Sequence, residues 1–162
     1  ERHDFVQDIL IRHRNVKKIY AYKMDGYWSN IASVDAYYQT NMDFLKAPVR
    51  NFFFRQYPEV HSRAADLPPA KYNVGVNIKN SLLSSGCIVN GTVENSILFH
   101  QVYVGNNCVI RNSLILNDVY IGDNTIIENC IVESGDTIQA NSCYRGENGI
   151  RIVLEKGERY TI

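Results

Sequence analysis

The sequence predicts a mainly β solenoid, a parallel β-helix with coils of about seventeen residues, preceded by a small α+β segment. Three observations carry this reading. The tetrapeptides Asn95-Ser96-Ile97-Leu98, Asn112-Ser113-Leu114-Ile115 and Asn129-Cys130-Ile131-Val132 recur seventeen residues apart, with a looser copy at Asn80-Ser81-Leu82-Leu83. A second series, Val104-Gly105, Ile121-Gly122 and Ile138-Gln139, keeps the same step and is followed by Asn106-Asn107, Asp123-Asn124 and Ala140-Asn141. Within one period aliphatic residues fall at spacings of six, five and six, at Val104, Ile110, Ile115 and Ile121, and a small or branched residue stands two positions before most of them.

These spacings describe a triangular coil. Each side is a short strand in which residues i and i−2 point inward and i−1 outward, because side chains alternate. Gly, Asn and Asp between the sides tolerate the left-handed backbone that corners need. Stacking puts Val104, Ile121 and Ile138 over one another, so each coil covers the apolar face of the next. Cys108 and Cys130 become inward fillers. An amphipathic helix does not account for the pattern, since Gly, Asn and β-branched residues recur where a helix disfavours them. Outward positions carry Ile97, Leu114 and Ile131 in one apolar stripe and Tyr103 with Tyr120 in another; these are interface candidates, expected to be covered by another domain or subunit.

Ahead of the repeat, Asp4 is placed to cap a short helix containing Phe5, Val6, Ile9 and Leu10. Lys18 to Met24 reads as a strand, Asp25-Gly26 as a two-residue turn, and Tyr27 to Ile31 as the returning strand. Ser33 caps a second helix through about Lys46, with Val34, Tyr37, Tyr38, Met42 and Leu45 on one face, and Pro48 ends it. Residues 1–46 are too few to enclose a core and read as the end of a larger domain. The missing Met at position 1 agrees with an excised piece. Residues 47–75 hold all four prolines and read as an extended linker, packed down through Phe52, Phe53 and Phe54. The β-helix is expected over 76–143 and a strand-rich tail over 144–162.

With 17 basic and 17 acidic side chains in 162 residues and no long run of one sign, neither nucleic acid nor a membrane surface is an expected partner. No apolar run reaches the length of a spanning helix, and the first residues lack the pattern of a signal peptide. Cys87, Cys108, Cys130 and Cys143 lie within the apolar pattern with no close paired spacing, which favours reduced, buried thiols in a cytoplasmic protein over disulfides or zinc.

The repeat resembles hexapeptide-repeat left-handed β-helices, and that resemblance supplies the handedness. In order along the chain, His3-Asp4-Phe5, Gly26-Tyr27-Trp28, Tyr37-Tyr38, Asn41-Met42-Asp43, Leu67-Pro68-Pro69-Ala70-Lys71, Ser85-Gly86-Cys87, Ser96-Ile97-Leu98-Phe99 and Gly149-Ile150 resemble the C-terminal third of bacterial ADP-glucose pyrophosphorylase (glucose-1-phosphate adenylyltransferase), most closely its non-catalytic, GlgD-type subunit. The resemblance implies a nucleotidyltransferase domain ahead of this chain, which makes ADP-glucose and pyrophosphate from ATP and glucose 1-phosphate with Mg2+ in glycogen biosynthesis. It also implies a β-helix that takes part in assembling a homo- or hetero-tetramer and in its control. Residues 1–46 would then be the remnant of that domain, and the fragment alone would be inactive, with no cofactor of its own.

Catalytic members resemble Tyr-Trp-x-Asp-Val-Gly-Thr, where the Asp helps to hold the metal. This chain has Tyr27-Trp28-Ser29-Asn30-Ile31-Ala32-Ser33. Asn30 keeps the shape but lacks the charge that Mg2+ favours, and Ala32 adds a β-carbon. The strip Tyr27, Trp28, Asn30, Ser33 therefore reads as catalytically silent. Arg145, in Tyr144-Arg145-Gly146, is similar to a tail arginine that approaches an anionic activator, and a guanidinium suits a sugar phosphate; an arginine that is only solvated reads equally well. The competing function is a hexapeptide-repeat acyltransferase using coenzyme A, with His100 as general base. The linker and the absence of a second histidine on the solenoid argue against it.

Overall fold

The computed structural model describes residues 4–56 and 66–155. The repeated aliphatic positions wind into a left-handed β-helix of five turns, built on three parallel five-stranded sheets. Sheet A stacks β1 (Lys71–Tyr72), β4 (Ile88–Val89), β7 (Tyr103–Val104), β10 (Tyr120–Ile121) and β13 (Thr137–Ile138). Sheet B stacks β2 (Asn77–Lys79), β5 (Thr92–Glu94), β8 (Val109–Arg111), β11 (Ile126–Glu128) and β14 (Cys143–Arg145). Sheet C stacks β3 (Leu82–Leu83), β6 (Ile97–Leu98), β9 (Leu114–Ile115), β12 (Cys130–Val132) and β15 (Arg151–Val153).

Register follows the repeat. Ile121 pairs with Val104 on one side and Ile138 on the other. Every inward position expected from the alternation is buried, including Val102, Cys108, Ser113, Val119, Thr125 and Cys130. Burying each large aliphatic contributes roughly 1.5–3 kcal/mol relative to exposure, and here those gains accrue coil by coil. The buried hydroxyls are satisfied across coils: Ser96 Oγ donates to Glu94 O at 2.7 Å and accepts from the Ser113 amide at 3.1 Å, and Ser113 Oγ repeats this with Arg111 and Cys130.

Every corner between the described strands except Asn90-Gly91 is turned by a residue in the left-handed region. Asn80, Asn95, Asn112 and Asn129 hold one corner, Asn107, Asn124 and Asn141 the next, and Gly86, Gln101, Asp118 and Gly135 the third. The second corner is shorter in one coil. Only Asn90 and Gly91 join β4 to β5, where four residues, 105–108, join β7 to β8. That coil therefore measures fifteen residues, which is why the Asn80 copy of the tetrapeptide falls out of step with the later ones.

The segment before the solenoid departs from the sequence reading in several places. Asp4 does cap the first helical segment, its Oδ1 accepting the Gln7 amide at 2.8 Å, but Phe5–Ile11 is wound as a π-helix. Lys18 to Met24 and Tyr27 to Ile31 form no ladder. Local propensity favoured a hairpin, yet Tyr20 and Tyr22 are 84% and 92% exposed, and two strands without a third surface are marginal. Ser33 caps α1 (Val34–Asp43), accepting the Ala36 amide at 3.1 Å. Pro48 does not simply end a helix; it stands in the first turn of α2 (Ala47–Asn51), where its missing N–H costs nothing. The 47–75 stretch is thus not uniformly extended: α2 runs into a π-helical turn, Phe52–Gln56, and β1 joins the first coil. Phe52 and Phe53 are packed against Gly26, Tyr27 and Phe44 as expected, whereas Phe54 is exposed. Pro58 lies outside the described residues. Beyond residue 143 the tail continues the solenoid, since β14 and β15 pair with β11 and β12.

Candidate functional site

The outer face of sheet C is where the two halves of the chain meet. Ile97, Leu114 and Ile131 are buried there beneath α1 and the turn after it, in contact with Tyr37, Tyr38, Met42, Phe44 and Leu45. Tyr38 Oη donates to the Asn112 carbonyl at 2.8 Å, fastening the helix to a coil corner. The apolar stripe is therefore covered from within the chain, by the helix that the sequence placed on a separate unit. Tyr103 and Tyr120 lie on sheet A, half-buried, with parallel rings 4.9 Å apart.

The strip ahead of α1 is held by polar contacts to that helix. Tyr27 Oη donates to Asp43 Oδ2 at 2.9 Å, and the Ser29 and Thr40 hydroxyls share a hydrogen bond at 2.5 Å. Lys46, then Gln39 and Tyr27, hold the Asp43 carboxyl below its usual range; burial opposes them. Trp28 and Asn30 are exposed, and Ser33 is occupied as the helix cap. The strip brings Tyr27, Asn30 and Ser33 to the approach of α1, and none of the four side chains named from sequence offers a carboxylate. Among the described residues no group of three or more His, Cys, Asp or Glu gathers into a metal-holding cluster. None of the four strip side chains supplies the anionic oxygen that Mg2+ favours, and the carboxylate beside them, Asp43, is hydrogen-bonded to Tyr27, Gln39 and Lys46.

Arg145 stands at the end of β14, at the mouth of an open cavity of about 460 Å3 lined by residues 145–151. One residue, Asn129, separates Glu128 from Cys130 in the coil beneath; five separate their partners Arg145 and Arg151, so the last coil carries a four-residue insertion. Arg145 Nε donates to Glu128 at 2.9 Å, and the Arg151 guanidinium lies over the Tyr144 ring at 5.1 Å. Tyr144 is tied to Glu155, and burial first, then that carboxylate, pushes its hydroxyl pKa up. Two guanidiniums at one opening can receive an oxyanion.

Sequence reasoning missed the company Arg145 keeps. Lys79, Glu94, Arg111, Glu128 and Arg145 form one outward column on sheet B, with Arg111 bridging Glu94 and Glu128. The signal was present, since Glu94, Arg111, Glu128 and Arg145 recur at the coil period with alternating sign. His100 is half-buried at a corner; its amide donates to Asn117 Oδ1 at 3.1 Å, and its Nδ1 is buried with no partner among the described residues. No described side chain is placed to orient it as a base.

The cysteines divide three to one. Cys87, Cys108 and Cys130 are buried, and desolvation raises their thiol pKa, while Cys143 is exposed on sheet B, contrary to the expectation of four buried thiols. Cys143 pairs with Ile126 at an outward position of sheet B, which the alternation of side chains turns away from the coil interior. A maleimide at neutral pH is expected to label Cys143 alone in the native protein and all four thiols in denaturant; native labelling of Cys108 would contradict this packing.

Among the described residues no helix is long and apolar enough to cross a membrane. Residues 68–148 match the family model described as GlmU-like, C-terminal hexapeptide. The chain is also similar to the glucose-1-phosphate adenylyltransferase of Thermosipho melanesiensis, 35% identical over 109 residues, covering 67% of this chain and 26% of that protein. The enzyme of the same name from Pseudothermotoga lettingae is 36% identical over 110 residues, covering 67% and 26%. That of Clostridium botulinum (strain Eklund 17B / Type B) is 40% identical over 110 residues, covering 66% and 28%. The chain thus spans about a quarter of the length of these relatives. With five coils in register and half of its length matched, the chain belongs to the family of GlmU-like C-terminal hexapeptide domains.

Proposed function

We propose that this chain is the C-terminal assembly and regulatory part of a glucose-1-phosphate adenylyltransferase subunit in glycogen biosynthesis, and that the subunit is catalytically silent. The parent reaction joins ATP and glucose 1-phosphate to give ADP-glucose and pyrophosphate. The name of the relatives supports the family reading. The observation that carries the silent role is Asn30, an exposed neutral amide in a strip whose four named side chains offer Mg2+ no anionic oxygen. The same reading makes the exposed Phe5, Val6, Tyr20, Tyr22 and Trp28 the contact surface for a nucleotidyltransferase domain. The Tyr103 and Tyr120 ridge then faces other subunits of a homo- or hetero-tetramer, Arg145 faces a sugar-phosphate effector, and the protein works in the cytoplasm.

The test is an assay of the intact subunit, purified without any partner, for ADP-glucose from ATP and glucose 1-phosphate with Mg2+. No synthesis above background is expected. Turnover by the unmodified subunit alone would reverse the silent assignment.

A further inference from the structure

The four-residue insertion in the last coil contains Asn148-Gly149, one of two Asn-Gly pairs in the chain, the other being Asn90-Gly91. The two are held very differently. Asn90 Nδ2 donates to the Val104 carbonyl at 2.8 Å, its Oδ1 accepts from Asn73, and Gly91 is buried in the two-residue corner. Asn148 and Gly149 are both exposed, and a β-carbon built on Gly149 would meet nothing within 4 Å. Among the described residues no hydrogen bond holds the Asn148 side chain or the Gly149 amide.

We propose that Asn148 is a self-modification site, at which the chain converts a neutral amide into a carboxylate at the mouth of the Arg145–Arg151 cavity. The Gly149 backbone nitrogen loses its proton and attacks Asn148 Cγ. The Cγ–Nδ2 bond breaks, ammonia leaves, and a five-membered imide joins the two residues. Water then opens the ring at either carbonyl and leaves an aspartate or an isoaspartate. The sum is one water consumed and one ammonia released, with no oxidant or reductant. Glycine as the second residue matters because no side chain hinders the attacking nitrogen, and free rotation matters because the side chain must swing onto its own backbone. Asn90 has neither freedom.

The consequences are local and of two kinds. A carboxylate beside Glu147 opposes the two guanidiniums that line the opening, so the modified form holds an oxyanion less well. The isoaspartate also adds a backbone atom to a loop whose ends are tightly drawn: a β-carbon on Gly146 would collide with the Gly149 carbonyl oxygen. Only the consequence for anion binding rests on the effector reading of Arg145; the modification does not.

The intact subunit is incubated at mildly alkaline pH and digested, and the two Asn-Gly peptides are followed by mass and by isoaspartate labelling. The expected result is progressive conversion at Asn148, none at Asn90, and none at position 148 in Asn148→Gln. An unchanged Asn148, or equal conversion at Asn90, would overturn the proposal. Inorganic phosphate is then titrated into the untreated subunit and Asn148→Asp. Weaker binding by Asn148→Asp supports the effect on the cavity. Equal binding overturns that effect, and no binding by either form removes the anion reading of Arg145 while the mapped modification stands.

Discussion

Replacing Leu114 by glutamate releases α1 from the solenoid while the coils stay folded. Leu114 is fully buried, yet it points out of the coil, midway in the stripe between Ile97 and Ile131 and under Tyr37, Tyr38 and Met42. Removing it forfeits the transfer energy of a large aliphatic and opens a cavity, and a carboxylate there has no described cation to meet it; together these cost roughly 3–5 kcal/mol. The coil interior is untouched, because Ser113 and Ile115 on either side face inward and keep their partners. The loss falls on the helix docking, which is otherwise fastened by the Tyr38 hydrogen bond to Asn112. Hydrogen exchange should show the α1 amides losing protection while β8 to β11 keep theirs. Tyr120→Glu, on the face where the ring is only half-buried, is the contrast and should leave α1 unaffected. Retained protection of α1 in Leu114→Glu would mean that the helix is held by something other than this stripe.

That the stripe faces a helix of its own chain was only partly visible in the sequence. Apolar side chains at outward positions declare that something covers them, but a one-dimensional pattern does not say from where along the chain it comes. The inward positions were legible because two periods coincide there: alternation by two within a strand and seventeen between coils, which together fix every residue from Val102 to Ile138. The corners were legible for a similar reason, since Asn at a fixed offset suits a positive φ. Lys18 to Ile31 failed because strand propensity describes a residue's fit to a sheet surface, and the described chain offers these residues none. At the candidate site, Asn30 was identifiable by residue type alone. Arg145 was identified without its ion pair to Glu128, although the alternation of charge at the coil period contained it.

The same reasoning puts the largest backbone effect at the corner where the period breaks. Gly91→Ala is expected to destabilise the solenoid by about 3 kcal/mol, near the upper end for overpacking a rigid site. A β-carbon there would lie 2.6 Å from the Cys108 carbonyl oxygen, 3.0 Å from its nitrogen and 3.1 Å from its carbonyl carbon. All three are backbone atoms of the neighbouring coil, so no side chain can turn aside. The oxygen is also the acceptor for the Thr92 amide at 2.8 Å, so relieving the clash by parting the coils stretches a ladder hydrogen bond. Gly75, at the corresponding corner one coil earlier, separates space from conformation: nothing lies within 4 Å of its added β-carbon, but its φ is +88°. Gly75→Ala therefore costs only the strain of a left-handed alanine, roughly 1–2 kcal/mol. Urea denaturation of the two variants should rank Gly91→Ala well below Gly75→Ala in midpoint. The opposite order would mean that the two-residue corner yields, and that close contact between coils is not what requires glycine at position 91.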